Sequence, residues 1–247
     1  MNRLIELAGL DEHGCAELAD AIAGAALVCF PTDTVYGLGG VVSPATAAAL
    51  AAAKGRPSDK PFQLIYPSLV ALLAAVPHSP AVAAAARRLL PGPFTLLVPY
   101  PAGMSFPPPG AVEWPAAADE AAADRAAGQA APGRKAGEPI TVATLGVRVP
   151  DWPPTARALA GLPFALLASS ANSSGGADPA ALEEVEPAVR AACDLVLDGG
   201  PTSGVSSTVL DLSGLEAGRG YRILRSGAAD AAAIAAMLAN QEGPAAP

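Results

Sequence analysis

Histidine is nearly missing from this chain: His13 and His78 are the only two in 247 residues. Both lie in helical or loop context away from the polar loops described below, which leaves no basis for a histidine-based triad or a histidine zinc site. Cysteine is almost as scarce. Cys15, Cys29 and Cys193 are isolated and odd in number, so they point neither to a disulfide framework nor to a metal cluster, as fits a reducing compartment. Aromatics make up 4% of the chain, and no aromatic-basic alternation offers a stacking platform for nucleic acid. Basic residues number 15 against 23 acidic, a formal charge of -8. That balance argues against broad nonspecific RNA or DNA binding but allows one small positive pocket. No run of about 18 uncharged apolar residues offers a membrane helix. The opening MNRLIELAGLDEHG carries acid early and lacks the apolar core of a secretory signal. A soluble cytoplasmic protein is expected, without membrane association.

What is present alternates between helix and strand patterns, the mark of an α/β fold. Residues 12–24 read as a helix closed by Gly24, followed by a strand over 26–30. Ser43 and Pro44 form an N-cap and a first helical position opening a helix over 44–53. A strand over 62–66, helices over 68–75 and 80–90, and a strand over 94–99 follow. From 101 to 139 the composition shifts to Ala, Pro, Gly and scattered charge, which reads as a surface insertion. Strands return at 145–149 and 163–168, with a helix to about Ala160 between them. Helical pieces are expected over 179–192 and strands over 194–198, 207–212 and 221–224. A last helix over 228–239 precedes a frayed tail, 241–247. No linker separates two cores, so residues 1–240 are expected to form one domain carrying the 101–139 insertion.

The polar residues cluster at strand ends. Loops 32–34, 169–174 and 202–206 each follow a strand, and loops leaving one edge of a sheet converge on one site. Lys54, Arg56, Lys60, Arg148 and Arg225 lie in or beside other strands. Hydroxyls, amides and cations together, with little acid–base machinery, suit an anionic ligand such as a nucleotide, where positioning and charge neutralisation supply the catalysis. Magnesium ordinarily accompanies a triphosphate. Neither a GxxxxGK[ST] loop nor a GxGxxG turn after a strand occurs, so the residues alone lead no further than a pocket for an anion.

The ordered series PTDTVYGLG, KGRPSDKP, LLPGPFTLLVP, GVRVP, ASSANSSGG, SSTVLDL and ILRSG resembles the threonylcarbamoyl-AMP synthase family, also called the Sua5/YciO/YrdC family. The resemblance covers roughly 25–100 and 140–228. It implies a YrdC-like fold, a twisted mixed parallel and antiparallel open sheet flanked by helices, with a concave, positively charged cavity. It also implies a nucleotidyltransferase that condenses L-threonine, bicarbonate and ATP into threonylcarbamoyl-AMP and pyrophosphate. A downstream transferase complex then modifies adenosine 37 of tRNA. The chain would be a monomer or homodimer of the short, single-domain type, with weak or no direct tRNA binding.

Residue by residue, the resemblance makes Lys54, Arg56 and Lys60 the catalytic cations, with Arg56 and Lys60 on the ATP phosphates and Lys54 adding positive field or touching the nucleotide. Thr144, Asn172 and Arg225 would complete the ATP site. Thr34, with Thr32 as the second choice, Arg148 and Ser170 would hold threonine, Arg148 through its carboxylate. No protein-bound metal is implied, and Mg2+ would arrive with ATP. Many members carry a histidine beside the threonine where this chain has Ile65, so a neighbouring side chain or backbone group would have to replace it. Two other readings stay open: an RNA-binding protein of the same fold, and a paralogue acting on another carbamoyl adenylate.

Overall fold

The computed structural model describes residues 2–55, 62–99 and 144–239. The expected insertion at 101–139, the tail at 241–247, Arg56 and Lys60 lie outside these residues. The described strands form one ten-stranded sheet: β1 (Arg3–Glu6), β2 (Val28–Phe30), β3 (Gly37–Val41), β4 (Gln63–Ile65), β5 (Phe94–Pro99), β6 (Thr144–Arg148), β7 (Leu166–Ser170), β8 (Leu195–Asp198), β9 (Thr208–Asp211) and β10 (Arg222–Arg225). Their spatial order is β1-β8-β2-β3-β7-β4-β6-β5-β9-β10. Pairings of β8 with β1 and β2, of β4 with β6 and of β5 with β9 are parallel, and the others are antiparallel. The expected mixed open sheet flanked by helices is the architecture observed.

Local sequence explains the helices that frame it. In α1 (Glu12–Gly24) the Asp11 carboxylate caps the N–H of Gly14, and α2 (Pro44–Ala53) starts from a Ser43 cap with proline in its first turn. The same device, a serine followed by Leu or Pro, opens α3 (Leu69–Ala75) and α4 (Pro80–Leu89). Each satisfies one N–H that the helix itself leaves unpaired.

The two sheet faces are treated differently. Leu27, Cys29, Leu38, Leu64, Leu96, Val147, Leu167 and Leu210 lie in the larger core with Leu50 of α2, Leu72 of α3, Leu89 of α4 and Ile234 of α6 (Ala231–Ala239). The alternate residues Val28, Phe30, Ile65, Leu166, Ala168 and Leu197 pack in a second core with Leu18 and Ile22 of α1 and with Ala156 and Leu159. Beyond Ile65 and Ala168 this second face carries the cleft described below. Strand alternation therefore separates a buried face from a face that is half core and half site.

Local details sharpen the sequence reading. The helical pieces expected over 179–192 are a 3-10 turn at Leu182–Glu184 and the short α5 (Pro187–Ala191), kept apart because Pro187 cannot supply the amide that a continuous helix needs. The segment after Pro153 is a 3-10 helix, Pro154–Gly161. Most informative is β3, a central strand written GLGGV, a stretch where the sequence reading gave no strand. A Cβ on Gly39 would stand 2.3 Å from the Leu167 carbonyl oxygen, so the close approach of β7 dictates glycine despite its low strand propensity. Among the described residues no helix is long and apolar enough to cross a membrane.

Candidate functional site

A cleft of about 260 Å³ opens on the second sheet face. Its floor follows from strand register. Gly37 pairs with Ser170, Ala168 with Gln63, and Ile65 with Arg148, while Thr95 pairs with Val209 and Val209 with Arg225. All of these residues line the cleft, because laterally paired residues point to the same face. The loop following β7 supplies one wall through Asn172, Ser173 and Ser174, and Lys54, at the end of α2, lies against it.

Lys54 is 4% exposed. Its ammonium donates to the Ser170 carbonyl, the Asn172 carbonyl at 2.6 Å and Asn172 Oδ1 at 2.9 Å. The Lys54 carbonyl in turn accepts from the Ser174 N–H at 3.1 Å. Asn172 Oδ1 also accepts from Ser170 Oγ at 2.6 Å, and its Nδ2 donates to the Gly176 carbonyl. A buried ammonium with three donors thus organises the whole turn. On the outer side Glu186 Oε1 accepts from Ser173 Oγ at 2.6 Å and from the Ser173 N–H at 3.1 Å. Those two bonds, the hydroxyl's first, hold the carboxyl below its ordinary value.

Arg148 is 2% exposed at the end of β6. Its Nη2 pairs with Asp33 Oδ1 and donates to Thr34 Oγ1 at 2.6 Å. Asp33 Oδ2 accepts from the Asp151 N–H at 3.2 Å, so Asp33 serves as the counter-ion of Arg148 rather than bonding only its own loop. Burial pulls the guanidinium below its usual value and Asp33 opposes that shift. Arg148 Nε has no hydrogen-bond partner among the described residues. A buried donor without an acceptor is costly unless a ligand completes it.

Thr34 is fully buried behind this pair, whereas Thr32 lines the cleft. The Thr32 hydroxyl donates to the Val35 carbonyl at 2.7 Å and accepts from the Thr34 and Val35 N–H groups. Gly204 N–H and Ser203 Oγ both reach the Thr34 carbonyl. The 32–34 and 202–206 loops therefore meet, as their places after β2 and β8 imply.

Across the cleft, Arg225 donates through Nε and Nη2 to the Ser207 carbonyl, at 3.2 and 2.9 Å, and through Nη2 to Ser207 Oγ at 3.1 Å. Burial lowers its pKa and Asp178 opposes the change. Asp178 lines the cleft and accepts from Ser206 Oγ. Thr144 shares a strand face with Gly146 and Arg148, by alternation, but at the opposite end of β6, and it is not one of the residues lining the cleft.

Of the residues singled out in the sequence, Lys54, Arg148, Ser170, Asn172 and Arg225 gather at the cleft, Thr34 stands one layer behind it, and Thr144 lies farther along the strand. Gln63, Thr95, Ser207, Asp178 and Glu186 were not singled out. For Gln63 and Thr95 the signal was available: each is a polar residue in an otherwise apolar strand, as Arg148 is.

The family model described as "Telomere recombination" (Sua5_yciO_yrdC) matches residues 20–108 and 139–227. Threonylcarbamoyl-AMP synthase of Bacillus subtilis (strain 168) is 34% identical over 190 residues, 74% of this chain and 46% of that protein. Its counterpart from Pyrococcus abyssi is 30% identical over 190 residues, 76% of this chain and 47% of that protein. The chain thus spans about half the length of these relatives. The crystal structure of P. abyssi Sua5 complexed with L-threonine superposes with a TM-score of 0.67 at 26% identity, over 96% of this chain and 60% of that one. Escherichia coli YciO gives 0.68 at 18% identity over 93% and 98%, a likeness of fold. With the ordered motifs, the mixed sheet and these matches in agreement, the chain belongs to the Sua5/YciO/YrdC family.

Proposed function

We propose that this chain is an L-threonylcarbamoyladenylate synthase, using L-threonine, bicarbonate and MgATP and releasing pyrophosphate. The observation that carries the reading is the convergence on one cleft of a buried arginine with an unpartnered Nε, the Ser170 and Asn172 turn, and Arg225. The names of the curated relatives and the L-threonine complex of a family member support it. Arg148 would meet the amino-acid carboxylate, with Thr34 and Asp33 fixing its fork. Ser170, which lines the same cleft, would act on the same ligand. Arg225 and Asn172 would face the nucleotide, Thr144 would extend that side, and Arg56 and Lys60 would neutralise the phosphates, giving the cavity its positive character. Lys54 would act through the turn it holds.

The reaction needs no side-chain nucleophile. Threonine's amine takes up bicarbonate to form a carbamate with loss of water. A carbamate oxygen then attacks the α-phosphorus, the new O–P bond forms, and the bond to the β-phosphate breaks to release pyrophosphate. The chain's cations offset charge on the phosphate and the leaving group. Mg2+ would enter on the ATP phosphates as part of the substrate. The product would pass to a tRNA-modifying transferase complex in the cytoplasm.

The test is pyrophosphate release with ATP, Mg2+, bicarbonate and single amino acids. Release stimulated by L-threonine well above serine or no amino acid is expected. Equal release with all three would refute the reading.

A further inference from the structure

A line of hydrogen bonds crosses the cleft floor and ends on a side chain that the family resemblance does not assign. Arg225 Nη2 donates to Ser207 Oγ at 3.1 Å, Ser207 Oγ and Thr95 Oγ1 are 2.8 Å apart, and Thr95 Oγ1 donates to Gln63 Oε1 at 2.9 Å. Its polarity can be worked out from the donors available. Arginine can only donate, and each hydroxyl has a single proton. With the amide oxygen of Gln63 on Thr95, the Thr95 proton goes to Gln63 and the Ser207 proton goes to Thr95. With the amide reversed, Thr95 would accept from Gln63 and donate to Ser207, and the Ser207 proton would have no partner in this line although Ser207 is 3% exposed. The first arrangement uses every proton, and leaving a buried one unused is costly.

The amide nitrogen of Gln63 is therefore turned away from Thr95. Gln63 lines the cleft, and the side-chain hydrogen bond it makes among the described residues is the one its amide oxygen accepts from Thr95. Gly146 lies between β4 and β5 in the sheet and carries no side chain, so the Gln63 side chain reaches Thr95 over it. Ile65, the next residue on the same face, is apolar and 1% exposed. In β4, then, the polar group offered to the ligand comes from Gln63.

We infer that Gln63 is a specificity-determining residue whose carboxamide N–H groups, oriented by Thr95, Ser207 and Arg225, bind an anionic oxygen of the ligand between Arg148 and Arg225. This rests on the nucleotide and amino-acid reading proposed above. The oxygen belongs either to a phosphate of ATP or to the carboxyl or carbamate end of the amino acid, and separate titrations distinguish the two.

The experiment measures ATP and L-threonine binding by calorimetry for the whole chain and for Gln63→Leu, Gln63→Glu, Thr95→Val and Thr95→Ser, with the denaturation midpoint of each recorded. Gln63→Leu should weaken one of the two ligands about ten-fold. Gln63→Glu, which keeps the acceptor for Thr95 but presents negative charge, should weaken it more than about 100-fold. Thr95→Val should cost about three- to five-fold, and Thr95→Ser, which restores the hydroxyl, should return to within about two-fold. A change confined to ATP assigns the oxygen to phosphate, and one confined to threonine assigns it to the amino acid. Gln63→Glu binding both ligands as the wild type does would overturn the inference and leave the proposed function standing. Failure of the wild type to bind either ligand would remove both.

Discussion

Replacing Lys54 with methionine keeps the unbranched stem of the side chain and removes its ammonium. That group donates to the carbonyls of Ser170 and Asn172 and to Asn172 Oδ1, at a position 4% exposed. Asn172 Oδ1 keeps its bond from Ser170 Oγ, but a buried carbonyl left without its donor costs about 1–3 kcal/mol, so the two carbonyls together lose about 4 kcal/mol. Relief of the ammonium's desolvation offsets part of this, and a net loss of about 2 kcal/mol remains. For a chain of this size that lowers the melting temperature by roughly 4–8 °C. Circular dichroism melts and urea midpoints check the stability, and ligand titration checks the turn. Because Lys54 holds Ser170 and Asn172 in place, affinity should fall in parallel with stability. A Lys54→Met protein that melts with the wild type yet loses activity would refute this and make Lys54 a direct contact with substrate. One that retains both would mean that the turn is held by something else.

Further outcomes follow from the same contacts. Asp33→Ala leaves the buried Arg148 without its counter-ion and should destabilise the chain by about 3–5 kcal/mol, measured by urea denaturation; Asp33→Asn, which keeps an acceptor, should cost less. Gly227→Ala places a Cβ 2.3 Å from the Ser206 carbonyl oxygen and 2.5 Å from the Ser207 carbonyl carbon. It should cost about 1–3 kcal/mol and weaken ATP binding by displacing the Ser207 backbone that holds Arg225. The folded-state pKa of Glu186 is depressed by Ser173, so its contribution is present above the ordinary glutamate value and is lost as pH falls through the lowered one. Glu186→Gln should accordingly flatten the acid limb of the stability-versus-pH curve while leaving the alkaline limb unchanged. Lys60→Ala should abolish adenylate formation without changing the melting curve.

Where pattern and chemistry coincide, the fold was legible. The helices α1, α2 and α4 carry capping residues at their starts, and β5, written FTLLVP, has strand composition bounded by proline. β3 was not legible, because its glycines serve a neighbour rather than the strand: only the approach of Leu167 explains Gly39. The first strand, Arg3–Glu6, was also missed; it is a short edge strand with a mainly exposed pattern that gives no alternation to read. In the site, Arg148 is marked by its place in an apolar strand, and Asp33 is its anionic partner within the chain. The choice between Thr32 and Thr34 depended on which hydroxyl faces the cleft, and the turn that decides this is closed by hydrogen bonds between neighbours rather than by residue type. Gln63 stands out in sequence as a polar residue in an apolar strand, but its place beside Thr95 and Ser207 depends on register across neighbouring strands, which a linear pattern does not carry.

The adenylate product itself is the most direct readout of this reaction. The chain is incubated with L-threonine, MgATP and isotopically labelled bicarbonate, and the mixture is resolved by liquid chromatography with mass detection. A labelled threonylcarbamoyl-adenylate is expected, formed one-to-one with pyrophosphate, dependent on threonine and absent with Arg148→Ala. Pyrophosphate released without label entering an adenylate, or a labelled adenylate formed equally well without threonine, would contradict it.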